Sequence, residues 1–265
     1  MNYLSNFYKD GFLSCVNVLN KDESIKLQND ANNTINRYDI LNAEYRCKSH
    51  LLFSWVDKLS RNSKIVDIVK EIIGEDVICI DTMFWNKPPQ TEQFVSFHQD
   101  GYYWNIKEPV NGVTVWVPFQ DSNEENGTLF YLKGSNKKFI EHINIQDNLN
   151  MLRRGQTIDI STLQFEKIPC PTALGDATFH NPYTIHGSYP NRSAGTRLAC
   201  NIQYVSAKSQ LLINDHAEYG TLISGVNKSD ISIVDGPIGN FEKDYNTWHT
   251  AWYNQRQNYL KHQGR

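Results

Sequence analysis

From Val77 onward the chain breaks into short runs rich in β-branched and aromatic residues: Val77–Trp85, Phe94–Asp100, Val113–Phe119, Thr128–Leu132, Ala177–Phe179, Tyr183–His186 and Thr196–Val205. Between them stand Pro88-Pro89, Asn111-Gly112, Asn126-Gly127, Gly134-Ser135 and Gly187, residues that favour turns. Many short strands with turn signals between them point to a sandwich or jelly-roll barrel. The stretch before them reads as helical. Asn20 and Glu23 form a capping-box pattern. After Asn62-Ser63, the residues Ile65, Ile68, Val69, Ile72 and Ile73 recur on one helical face, and Gly74 stands at the C-cap position. Helices first and strands afterwards predict an α+β fold, mainly β, in which helices buttress one face of a barrel. The aromatic-rich stretch Asn246–His262 is expected to be helical, either closing the barrel or forming a dimer contact.

With 265 residues, 40 % hydrophobic and 12 % aromatic, the chain can build a sizeable core. It shows no repeat and no low-complexity linker, so a single domain over 1–265 is expected, its barrel at about 77–206. The net charge is −3 and Lys and Arg are scattered, which argues against nucleic acid and against a membrane surface. The cysteines, Cys15, Cys47, Cys79, Cys170 and Cys200, are odd in number and contain no C-x-x-C. Reduced thiols of a cytoplasmic protein fit better than a disulfide framework. The first residues lack the basic and apolar regions of a signal peptide, and no apolar run approaches a membrane span.

Within Phe94–Asp100 lies an H-x-D pair, His98 and Asp100. Strand side chains alternate between faces, so both are expected on one side, together with Phe94 and Ser96. His186 closes another run, in Ile185-His186-Gly187-Ser188. Two imidazoles and one carboxylate are the ligands of a facial triad, which holds non-haem Fe(II) and leaves coordination positions open. Either His could instead be a satisfied core residue. His180, in Phe179-His180-Asn181-Pro182, competes with His186 for the third position. His186 is preferred, because an arginine opens the next run.

That arginine is Arg197. On its strand face follow Ala199, Asn201 and Gln203, whereas Leu198, Cys200, Ile202 and Tyr204 form an apolar face. An Arg inside a barrel is costly unless an anion pairs with it. The far carboxylate of 2-oxoglutarate answers that need; a salt bridge to Asp or Glu, or simple exposure near the strand end, is the bland alternative.

With these residues in hand, the chain resembles the phytanoyl-CoA dioxygenase family of Fe(II)/2-oxoglutarate oxygenases, from about Phe7 to about Ser206. One matching block is Phe94-Val95-Ser96-Phe97-His98-Gln99-Asp100 with Tyr102-Tyr103-Trp104. A second is Asn126-Gly127-Thr128-Leu129 leading to Lys133-Gly134-Ser135-Asn136, where the family has Pro-Gly-Ser-His. A third runs from Gly175-Asp176 through His186-Gly187-Ser188 to Pro190-Asn191-Arg192-Ser193 and Arg197. The resemblance implies a double-stranded β-helix, iron ligands His98, Asp100 and His186, and Arg197 on the co-substrate. It also implies Trp116 beside the carboxylate and Asn105 or Tyr103 at the keto-acid end. Halogenases of similar sequence have Ala or Gly at the position of Asp100, so oxygen transfer is expected here rather than chlorination.

The implied cofactors are Fe(II), 2-oxoglutarate and O2. The implied reaction hydroxylates an unactivated C–H of a small molecule, a natural-product or secondary-metabolite intermediate, and releases succinate and CO2. A desaturase or ring-forming oxidase with the same triad is the alternative among enzymes. A non-catalytic cupin-like binding barrel is the alternative outside them. Tyr102, Tyr103, Trp104, Phe84 and Trp85 are candidate pocket walls, and Ser96, Asn201 and Gln203 are candidates to orient the ligands.

Overall fold

The computed structural model describes residues 3–37, 47–152, 155–213 and 219–237. The helices are α1 (Tyr3–Asp10), α2 (Lys21–Arg37), α3 (Ser54–Ser60) and α4 (Ser63–Ile73). The strands are β1 (Phe12–Asn17), β2 (Val77–Lys87), β3 (Val95–His98), β4 (Gly112–Pro118), β5 (Leu129–Leu132), β6 (Ile143–Asn144) and β7 (Gln156–Thr157). They continue as β8 (Lys167–Cys170), β9 (Asp176–His180), β10 (His186–Ser188), β11 (Arg197–Ser206), β12 (Tyr219–Ser224) and β13 (Ser232–Ile233). The expected C-terminal helix at 246–262 lies outside the described residues. Among the described residues, no helix is long and apolar enough to cross a membrane.

The chain divides into two compact units, one of Met1–Asn33, Phe84–Tyr103 and Val113–Asn201, the other of Thr34–Met83, Trp104–Gly112 and Ile202–Arg265. β2 and β11 contribute residues to both. In the first unit, strands run in the order β1-β9-β4-β11-β2 in one sheet and β3-β10-β5-β8 in a second. Phe12, Trp116 and Ala199 of the first sheet pack with Leu129, Tyr131 and Cys170 of the second, so the core lies between them. Phe12 stacks on Tyr131 with centroids 4.5 Å apart, a pair worth about 0.5–1.5 kcal/mol beyond its buried area. This is the double-stranded β-helix, mostly β with few helices, that the strand pattern and the resemblance imply.

The capping box at α2 forms as read: Asn20 N–H donates to Glu23 Oε2 at 2.8 Å and Glu23 N–H to Asn20 Oδ1 at 3.0 Å. β1 was not expected, since this stretch reads as helical. Cys15 has φ +54°, and the pairing with β9 shifts register between Leu13 and Val16, so the apolar period is broken. β8 was also missed. It carries Pro169, which an edge strand of the smaller sheet tolerates.

In the second unit, α4 follows its sequence pattern. Asn62 Oδ1 accepts from Ile65 N–H at 3.2 Å, Ile65 and Val69 are fully buried, and Gly74 takes φ +94°. A positive φ at a helix end favours glycine. The second unit's part of β2 pairs antiparallel with β12, which pairs parallel with β13.

Candidate active site

β3 ends at His98, so the H-x-D pair does not lie wholly in a strand; Asp100 opens a 3-10 turn over Asp100–Tyr102. β3 and β10 are antiparallel, with His98 directly opposite His186. Two steps along β10, Ser188 lies opposite Val95, three steps along β3. The extra residue in β3 is a bulge. It turns Val95 into the cavity beside His98, where simple alternation expected Ser96 and Phe94. Gly187 sits against the bulge: a Cβ there would lie 2.8 Å from Val95 O and 3.2 Å from Phe97 N. A side chain at 187 would push the two ligand-bearing strands apart.

The ligand atoms of His98, Asp100 and His186 lie within 4.8 Å of one another, all buried. His98 Nδ1 is 2.8 Å from Ser96 O, and His186 Nδ1 is 3.0 Å from Thr184 O. A carbonyl only accepts, so both rings carry their hydrogen on Nδ1 and turn the Nε2 lone pair inward. Asp100 Oδ1 faces those two nitrogens at 3.4 and 3.7 Å. Three electron-rich atoms that converge without a proton between them suit a cation. Burial, with the charge of the neighbouring imidazoles, holds His186 well below the ordinary histidine range. For Asp100, burial is outweighed by the hydrogen bond from His180, and the carboxyl is held well below its usual range. A neutral imidazole and an ionised carboxylate are the ligating forms.

His180 belongs to the same cluster in another capacity. Its Nε2 lies 3.1 Å from Asp100 Oδ2, and its Nδ1 is 3.1 Å from the Tyr131 hydroxyl. Thr114 Oγ1 donates to the same Oδ2 at 2.6 Å. Ser135 Oγ accepts from Ile185 N–H at 2.8 Å and donates to Leu132 O at 2.6 Å, which pins the chain just before His186. The Lys133–Asn136 loop therefore acts through its serine, although it departs from the family's pattern.

A cavity of about 370 Å³, including its open mouth, joins these residues to Trp85, Val95, Trp116, Leu129, Ser188, Arg197 and Asn201. Arg197 is 1 % exposed. Its Nη1 reaches Trp85 O at 3.4 Å, its Nε has no hydrogen-bond partner among the described residues, and its Cζ stands 5.8 Å from the Trp116 ring centre. Burial pushes its pKa down to about 9. A guanidinium stays charged at neutral pH, so this is a buried cation awaiting an anion. Lys87 is buried as well, with Nζ 2.6 Å from Ser188 Oγ; burial and then Arg197 push it down to about 5.

Tyr103 meets His98 edge-on, ring centres 5.8 Å apart. Asn105, expected at the keto-acid end, lies in the second unit, where its amide clasps the backbone of Ile213 through Nδ2 to O at 3.2 Å and Oδ1 from N–H at 3.0 Å. Of the aromatic residues expected as pocket walls, Trp85 lines the cavity, whereas Phe84 packs on Phe119 and Tyr102 stacks on His142. Ser96 orients His98 through its carbonyl, while its hydroxyl donates to Gln156 O at 2.6 Å. Asn201 lines the cavity; Gln203 belongs to the second unit. Thr114 escaped the sequence reading, and Ser188 and Ser135 entered it only as members of the matching blocks. Thr114 stands two before Trp116 and Ser188 two after His186, so strand alternation could have found them.

The model of the phytanoyl-CoA dioxygenase (PhyH) family matches residues 7–199. A probable alpha-ketoglutarate-dependent hypophosphite dioxygenase of Stutzerimonas stutzeri is 29 % identical over 198 residues, 71 % of this chain and 67 % of that protein. Bovine peroxisomal phytanoyl-CoA dioxygenase is 25 % identical over 69 % of this chain, and the match spans 55 % of its length. The chain thus spans about half the length of the phytanoyl-CoA dioxygenases that it matches. Among solved structures, the non-heme monooxygenase ThoJ in its apo form has TM-score 0.85 at 20 % identity, covering 100 % of both chains. The epimerase SnoN in complex with Fe3+, alpha ketoglutarate and nogalamycin RO has TM-score 0.64 at 16 % identity, covering 79 % of this chain and 84 % of that one. These likenesses establish the shared fold. The family match over most of the chain gives the identity: this protein belongs to the phytanoyl-CoA dioxygenase family of Fe(II)- and 2-oxoglutarate-dependent dioxygenases.

Proposed function

We propose that the chain is a hydroxylase of an unactivated C–H bond in a small molecule, a natural-product intermediate, with release of succinate and CO2. In this reading residues 1–265 make one oxygenase domain. His98, Asp100 and His186 would hold the iron, and Arg197 the far carboxylate of 2-oxoglutarate, with Trp116 beside it. When bound, iron and 2-oxoglutarate together supply the activation of O2 that the side chains cannot. The protein's own part is to bind, to orient and to keep water out. The apolar walls Val95, Leu129, Trp85 and Trp116 dry the cavity. Tyr103 stands beside the metal position, and no co-substrate contact is assigned to Asn105.

The observation that carries this reading is the pairing, in one cavity, of a convergent His-Asp-His set with a buried guanidinium whose Nε has no hydrogen-bond partner among the described residues. A free small molecule is favoured over a coenzyme A thioester by the basic residues. Of Lys133, Lys137 and Lys138, which lie close together in one loop, Lys133 pairs with Asp10 at 3.6 Å and Lys137 donates to Tyr8 O, so two of the three are engaged within the fold. The carboxylate at position 100 favours oxygen transfer over halogenation. A cytoplasmic setting is supported by the odd number of cysteines and the missing C-x-x-C.

The test is anaerobic addition of Fe(II) and 2-oxoglutarate, then O2 with candidate metabolites. A metal-to-ligand charge-transfer band, succinate that depends on the added metabolite, and a product heavier by one oxygen are expected. Absence of the band, together with no thermal stabilisation by 2-oxoglutarate or N-oxalylglycine, would leave a non-catalytic barrel. A product lighter by two hydrogens would make the protein a desaturase or ring-forming oxidase.

A further inference from the structure

The two carboxylate oxygens of Asp100 have different surroundings. Oδ1 faces the Nε2 atoms of His98 and His186 at 3.4 and 3.7 Å. Oδ2 accepts from Thr114 Oγ1 at 2.6 Å and lies 3.1 Å from His180 Nε2. An ionised carboxylate has no hydrogen to give, so His180 must carry its hydrogen on Nε2. Its Nδ1 lies 3.1 Å from the Tyr131 hydroxyl oxygen, and that oxygen lies 2.8 Å from Thr178 Oγ1. His98 and His186 carry theirs on the opposite nitrogen. Three neighbouring imidazoles thus divide into two that present a lone pair and one that presents an N–H.

The backbone fixes this division. Thr114 and His180 are directly opposite in the β4–β9 register, and Trp116 and Thr178 are the opposed pair two residues on. Thr114, Thr178, His180 and Tyr131 are each at most 2 % exposed.

We infer that Thr114 and His180 are positioning residues that jointly occupy Oδ2 of Asp100, so that the carboxylate offers a metal one oxygen and not two. The inference rests on His98, Asp100 and His186 being the ligands. Three protein atoms then bind, and the remaining positions stay free for the two donors of 2-oxoglutarate and one further molecule. A carboxylate binding through both oxygens would take one of those positions. His180, which the sequence offers as a competing third ligand, is held out of the ligand set by the hydrogen on its inward nitrogen.

The experiment compares wild type with Thr114→Val and His180→Phe, which lose the donor, and with Thr114→Ser and His180→Gln, which keep one. Each protein is titrated anaerobically with Fe(II) in the presence of 2-oxoglutarate. The charge-transfer absorbance is followed, and a melting temperature is taken alongside. The donor-less variants are expected to bind Fe(II) about 10–100-fold more weakly and to shift the band. Thr114→Ser and His180→Gln should return both readings towards wild type. Wild-type affinity and spectrum in both donor-less variants would overturn the inference. Equal losses in donor-keeping and donor-less variants would overturn it too, since that is the mark of damaged packing. A wild-type protein that gives no band refutes the ligand assignment itself, and the inference falls with it.

Discussion

Asp100 and Arg197 divide the labour of the cavity by charge. In the proposed site Asp100 is the anionic corner of the ligand set, and Asp100→Gly should then abolish metabolite-dependent succinate formation. Full turnover in that variant would show that Asp100 is no ligand. Arg197 supplies the cationic end. Arg197→Ala removes the partner of a buried carboxylate, a loss on the order of 2–5 kcal/mol in such pairs. The KM for 2-oxoglutarate should therefore rise at least tenfold, with Fe(II) affinity in the absence of co-substrate unchanged. An unaltered KM would detach Arg197 from the co-substrate. At this scale the sequence was legible where residue type alone carries the chemistry: His98, Asp100, His186 and Arg197 were read from the chain and meet in one cavity. It was illegible where a common residue matters only through what it touches. Thr114 is an ordinary strand threonine until β9 brings His180 opposite it.

The elements matter through register. β3 and β10 hold the two imidazoles opposite one another, and Gly187 gives them the close approach they need. Gly187→Ala should lower the melting temperature and weaken Fe(II) binding together, because the new methyl meets Val95 O at 2.8 Å. Isothermal titration beside a thermal melt checks this; a variant with both values intact would show that the strands can spread at no cost to the site. The sequence exposed the elements whose periods are clean. α4 shows its caps and apolar face in the bare chain, and β11 its alternation. β1, β8 and the bulge in β3 were hidden because a positive φ, a proline and an extra residue each break the period of two. The same extra residue explains why Val95, and not Ser96, faces the cavity.

For the molecule as a whole, stability depends on groups remote from the ligand set in sequence. His50, in the second unit, is fully buried with Nδ1 2.9 Å from Thr82 Oγ1. Burial first, then the charges of Lys48 and Arg61, push its pKa from 6.5 down to about 3. The unfolded chain takes up this proton near pH 6.5, whereas the folded chain refuses it until about 3. The contribution is therefore complete above pH 6.5 and drains away as pH falls towards 3, by at most on the order of 5 kcal/mol. Asparagine can keep the bond to Thr82, so His50→Asn should flatten this part of the pH dependence. Urea midpoints at pH 7 and pH 4.5 test it; an equal offset at both would exclude His50 as the cause. A second consequence belongs to the way in which the imidazoles are tethered. Each is anchored by a carbonyl of its own chain neighbourhood, two residues before it. Chelation should accordingly leave the far-UV circular dichroism unaltered, and added Fe(II) should restore turnover. The bulge sets a rule of spacing within β3, where three steps separate Val95 from His98 against two from Ser188 to His186. Deleting one residue from Val95–His98 would iron out the kink and rotate an imidazole away from its ion.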